Sequence, residues 1–150
     1  MKRKIILIGL AVALIAGAIG AYLYFKPTPD IVQGQPDVAV KAGELIAAFE
    51  KDSAAARSLY IDKIVAVTGT VKSIDTSGAV ILGEEGSPSE VVVGLDRRHM
   101  QDHQQLKKGE VATVQGICSG YSTGGGSDPD DLLASLGTTV QLRSAGVKSN

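Results

Sequence analysis

The chain has 150 residues, 15 Lys and Arg against 16 Asp and Glu, and a single cysteine, Cys118. One cysteine excludes an intramolecular disulfide, so the folded part is held by packing alone. Lys2, Arg3 and Lys4 precede a long apolar run, which leaves 12 cations against 16 acids behind it, a net −4; a partner recruited mainly through phosphates selects the opposite sign.

Ile5 to Phe25 is a run of 21 uncharged, mostly apolar residues. As a helix it spans roughly 31 Å, close to the hydrocarbon thickness of a bilayer. The cations before it stay on the cytoplasmic side, and the chain after Lys26 is then periplasmic or extracellular. A cleaved secretory signal is the rival reading, with Ala16-Gly17-Ala18 or the Gly20-Ala21 region as the small-residue cleavage site. The run continues through Tyr22, Leu23, Tyr24 and Phe25, an ending that suits an interfacial aromatic belt and favours an uncleaved single-pass anchor in the inner (cytoplasmic) membrane. Cleavage would make the domain a secreted protein.

Residues 26–37 contain Pro27, Pro29 and Pro36 without periodicity, and read as a semi-extended tether. The remainder, 38–150, is large enough for one domain. Ala42, Leu45, Ile46, Phe49, Ala56 and Tyr60 recur at helical spacing, predicting one amphipathic helix over about Ala42 to Leu59 that lies against a larger body.

That body reads as sheet. Ile64 to Ile74 alternates, with Gly69 interrupting the valine face as a bulge or bend would. Short strands follow over Ala79 to Leu82 and Val91 to Leu95. Asp96 can cap a helix reaching Leu106, which Lys107-Lys108-Gly109 stops. A fourth strand covers Glu110 to Cys118, then a glycine-rich loop from Tyr121 to Ser127. Asp128-Pro129 opens a short helix to Leu136, and Thr138 to Arg143 makes the fifth strand. Three meandering strands, an inserted helix and two more strands match a five-stranded Greek-key OB barrel, with Gly69 and Gly116 where its strands must curve.

Glu44-Leu45-Ile46, Phe49-Glu50-Lys51-Asp52, Ala54 to Ala56, Tyr60, Val67 to Val71, and Val114 to Cys118 with Gly120-Tyr121 resemble the tRNA_anti-like family. The resemblance covers Asp37 to about Val147. It implies an extracytoplasmic or lipid-anchored OB fold without assigned biochemical role. Members of that family often carry further cysteines in the third and fifth strands, where this chain has Gly94 and Ala145-Gly146.

Single-strand binders of this fold stack bases on aromatic rings along a positive groove. Behind the apolar run the aromatics are Phe49, Tyr60 and Tyr121, of which the first two belong to the helix's apolar stripe and read as core. Tyr121 is the loop's stacking candidate, and Arg97, Arg98 and Lys72 are the basic candidates for ligand contact. Arg97, Arg98, Lys107 and Lys108 also read as ordinary solvated helix ends.

His99 and His103 sit i, i+4 and could share a face as metal ligands, yet no third His or Cys completes a site. Asp128, Asp130 and Asp131 read as a helix start rather than a calcium loop, and Cys118 as a buried core thiol. No nucleophile–base order, phosphate loop or cofactor motif is present. The expectation is a non-catalytic binding module without metal or cofactor, anchored through residues 5–25 and recognising a protein or an oligomeric ligand. Single-stranded nucleic acid, an oligosaccharide, and a purely structural role as an envelope spacer are the alternatives.

Overall fold

The computed structural model describes residues 2–26, 30–124 and 137–148, with side chains from Val12 onward. The apolar run forms helix α1, Lys2–Phe25. Its described side chains, Leu14, Ile15, Ile19, Leu23 and Phe25 among them, are all exposed. Among the described residues no helix is long and apolar enough to cross a membrane.

The rest is mainly β. In chain order come β1 (Val38–Lys41), α2 (Ala42–Lys51), α3 (Ser53–Tyr60), β2 (Ile64–Ile74), β3 (Val80–Leu82), β4 (Glu90–Leu95), β5 (Val111–Thr123) and β6 (Thr138–Val147). The sheet runs β1-β2-β3-β4-β6-β5, and a further β2–β5 pairing closes β2, β3, β4, β6 and β5 into a five-stranded barrel. The pairing of β4 with β6 is parallel and the other four barrel pairings are antiparallel, which is the Greek-key connection expected of the strand order. The valines of β2 point inward in alternation: Val65, Val67 and Val71 are each at most 1% exposed.

Four features depart from the expected elements. A sixth strand, β1, pairs parallel with β2, Val38 opposite Val65 and Lys41 opposite Thr68. Four residues are too short a run to show their period in sequence. The single helix over Ala42 to Leu59 is instead two, because Asp52 leaves helical geometry (φ −152°) and its carboxylate accepts from the Ala55 N–H, capping α3. The inserted helix over Asp96 to Leu106 is replaced by two short 3₁₀ turns, Arg97–His99 and Asp102–Gln105. Only Leu106 of that stretch reaches the core, so no apolar stripe holds a longer helix in place. Finally, β5 runs on to Thr123, which puts Tyr121 inside a strand rather than in the loop. The helix expected over Asp128 to Leu136 and the aspartates within it lie outside the described residues.

The curvature glycines act by close approach. A Cβ on Gly69 would come within 2.7 Å of the Ala42 Cβ, so Gly69 makes room for the start of α2. Its pairing with Ala112 is in regular register, so no bulge forms there. Gly116 does sit at an irregularity, where β5 slips against β6 between Gln115 and Ile117. Helix α2 contacts β1, β2, β4, β5 and β6 and places Leu45 and Phe49 in the barrel interior, at 0% and 1% exposure. Each such burial contributes about 1.5–3 kcal/mol relative to exposure.

The proline-rich stretch does not hang free over its described part. Val32 is buried, the Gln115 side-chain amide donates to the Ile31 and Gly34 carbonyls, and Asp37 exchanges bonds with Ile64.

Candidate recognition surface

Strand β2 gives one edge to β5 along Ile64 to Thr70, and shares the other between two strands: β1 up to Thr68 and β3 from Val71. Between these partners the edge forks. The first turn of α2 roofs the fork, and the segment Gly83 to Ser89 walls it, tied in by the Gly83 N–H donating to the Thr70 carbonyl at 3.0 Å. The result is an open groove of about 600 Å³. Ala42, Ile46, Ala47 and Val111 supply its apolar surface, Thr68, Thr70 and Ser87 hydroxyls, and Glu44, Glu50 and Glu84 carboxylates against one cation, Lys41. Val111 is 65% exposed, a large apolar side chain left facing solvent at the start of β5.

The wall is built deliberately. Lys72 Nζ donates to the Ser87 carbonyl at 2.7 Å and lies 3.3 Å from Glu90 Oε2. Ser89 Oγ donates to Glu50 Oε1 at 2.8 Å and accepts from the Thr138 N–H at 3.0 Å, joining α2, the wall and β6.

The four residues singled out from sequence are spread over three places. Lys72 holds the groove wall as just described. Tyr121 stacks on Phe49 with ring centroids 4.5 Å apart and planes inclined by 30°, and Phe49 in turn meets Tyr60 at 6.0 Å. Its outer edge lines a shallow depression with Arg57, Ser58 and Asp62. Arg98 pairs with Asp96, Nη2 to Oδ2 at 3.0 Å, on the first 3₁₀ turn beside exposed Arg97. Hydrogen bonds from the Arg98 side chain and backbone hold the Asp96 carboxyl at about 2.

The groove residues Glu44, Glu84, Thr70 and Val111 escaped the reading of the sequence. Nothing local marks them, because the fork exists only once β1 has docked on β2.

His99 and His103 do not converge on a common point. His103 Nδ1 meets the Met100 carbonyl, while both ring nitrogens of His99 face carboxylates, Asp30 at 2.9 Å and Asp102 at 3.0 Å. Among the described residues no group of three or more His, Cys, Asp or Glu side chains could hold a metal ion. Cys118 is fully buried, and burial pushes its thiol up to about 11.

The profile of the tRNA_anti-like family matches residues 1–126. The chain belongs to the tRNA_anti-like family. No curated protein sequence matches this tRNA_anti-like protein. Among solved structures, it is similar to a "putative nucleic acid-binding lipoprotein" from Klebsiella pneumoniae subsp. pneumoniae MGH 78578, with a TM-score of 0.52 over 83% of this chain and 100% of that one, at 18% identity. At that identity the likeness of this tRNA_anti-like protein to its neighbour is one of fold.

Proposed function

We propose that this tRNA_anti-like protein is a non-catalytic binding module, held at the outer face of the cytoplasmic membrane by its N-terminal segment, which accepts a neutral or cationic peptide segment of a partner protein in the groove between α2 and the β2 edge. The observation that carries this reading is the groove itself, an apolar floor rimmed by Glu44, Glu50 and Glu84. An apolar groove at a forked sheet edge suits an extended peptide, and its carboxylates disfavour a phosphate polymer. The anchor rests on the apolar run Ile5 to Phe25, on the cations before it, and on the exposed apolar side chains of α1. The lipoprotein description of the structural neighbour is in keeping with a domain held at a membrane.

Single-stranded nucleic acid is the second reading, favoured by the neighbour's description and by Arg57 beside Tyr121 in the shallow depression. A photocrosslinker at Thr70 in intact cells, followed by identification of the attached molecule, separates the two. The peptide reading expects a protein adduct that Glu44→Lys with Glu84→Lys abolishes. Anisotropy with a labelled single-stranded oligonucleotide, showing binding that weakens steeply with salt and ignores those two changes, would transfer the function to the second surface. Cell fractionation with an intact mass checks whether the segment before Lys26 is retained.

A further inference from the structure

The His99 imidazole lies between two carboxylates, Nε2 2.9 Å from Asp30 Oδ2 and Nδ1 3.0 Å from Asp102 Oδ2. A neutral imidazole carries one N–H and one lone pair, so it can satisfy only one of these two acceptors. Both contacts at once require the imidazolium. The two carboxylates belong to different parts of the chain. Asp102 is on the second 3₁₀ turn and also accepts from the Val147 N–H of β6 at 3.2 Å. Asp30 opens the described part of the proline-rich segment that leads from α1 to the barrel, and its other oxygen accepts from the Val32 N–H two residues on.

We propose that His99 is a proton-operated latch, which in its charged form clamps the membrane-proximal segment 30–37 onto the barrel and on losing its proton releases the Asp30 end. Asp30 is the more exposed of the two carboxylates, 31% against 22% for Asp102, so when the ring is neutral water replaces it more readily at Asp30, and that contact gives way.

The surroundings support this. Val32 is 2% exposed and packs beside the ring over Gly146, where an added Cβ would fall 2.7 Å from His99 Cγ and 2.8 Å from Val32 Cγ2. The ring and the segment therefore share one seat on β6. The charged groups facing His99 are Asp30 from the segment, Asp102 from the second turn, and Asp96 at the start of its own turn; Arg98 pairs with Asp96 and also attracts Asp30 through space, without a hydrogen bond of the kind His99 makes to it. From β6 it meets Gly146, which brings no charge. Burial opposes the charged ring, but the two carboxylates outweigh it and lift His99 above its ordinary 6.5. His99 in turn holds Asp30 below its ordinary 3.8. A raised imidazole contributes fully below 6.5 and is lost as pH rises through its folded value; a lowered carboxyl contributes above 3.8 and is lost as pH falls. The latch is thus closed across mildly acidic pH, opens on the alkaline side, and fails again in strong acid.

The test is an NMR titration of the full chain in detergent micelles, following the His99 ring nitrogens and the Val32 and Gly34 amides together. The expected result is a His99 midpoint above 6.5 with both nitrogens protonated below it, and amide shifts in segment 30–37 that move with that midpoint. Asp30→Asn lowers the midpoint, and His99→Gln removes the pH response of the Val32 and Gly34 amides while the amides of β2 stay in place. A His99 midpoint at or below 6.5, or amides of 30–37 that ignore its titration, overturns the latch.

Discussion

Gly116 lies against Ala145 so closely that a Cβ on the glycine would stand 2.6 Å from the Ala145 Cβ and 3.0 Å from the Arg143 carbonyl oxygen. The contact falls at the β5–β6 slip that lets the barrel close, and both neighbours belong to β6 backbone or to its first side-chain carbon, so neither can turn aside. Gly116→Ala is expected to cost about 1–3 kcal/mol, the usual penalty of overpacking. A urea midpoint shift at unchanged slope is the measurement; an unchanged midpoint would mean that β6 yields and that the slip is soft.

Phe49 joins α2 to the barrel and to two tyrosines. Phe49→Ala is expected to cost about 3–5 kcal/mol, whereas Phe49→Leu keeps most of the volume and costs below about 1.5 kcal/mol. Because Tyr121 stacks directly on Phe49, a double-mutant cycle between them should return a coupling of about 0.5–1.5 kcal/mol. Zero coupling would free Tyr121 from the packing role and return it to ligand contact.

Asp52 interrupts what sequence alone reads as one helix. Replacing it by Ala removes the bond accepted from the Ala55 N–H and is expected to cost about 1 kcal/mol. If the break existed only because of that cap, Asp52→Ala would also merge α2 and α3, which amide exchange across Lys51 to Ala55 reads directly.

The Asp96 carboxyl, held at about 2 by Arg98, is a lowered acid, so its contribution is present above its ordinary 3.8 and disappears as pH falls toward 2. Arg98→Ala should move the Asp96 midpoint back up toward 3.8 in a carboxyl-carbon titration, leaving the bond from the residue-98 backbone N–H and the charge of His99 as the residual causes of lowering. A midpoint that stays near 2 would assign the shift to the backbone instead.

With its thiol at about 11 and no exposure, Cys118 is expected to resist maleimide at pH 8 in the native protein and to react at the rate of a free thiol in denaturant. Rapid native labelling would show that β5 opens locally around Cys118.

Much of the barrel is legible in the sequence alone. The alternation of Ile64 to Ile74 gave β2 at its observed bounds, and the order of strands implied the Greek-key closure that β4–β6 parallel pairing supplies. The buried roles of Phe49 and Cys118 followed from their apolar settings. Tyr121 was misplaced because a strand that continues past Gly120 has no period-2 apolar signal there, its neighbours being Ser119, Ser122 and Thr123.

By itself the sequence determined which segments are apolar and at what spacing, and hence the apolar N-terminal helix, the strand order and the valines of the core, since hydrophobic burial acts on composition and period. Only the tertiary structure decided where distant groups meet. The β1–β3 fork on β2, the Phe49–Tyr121 stack, and His99 between Asp30 and Asp102 join positions far apart in the chain. Such contacts depend on directional bonds and on register across the closed sheet, which no local pattern encodes.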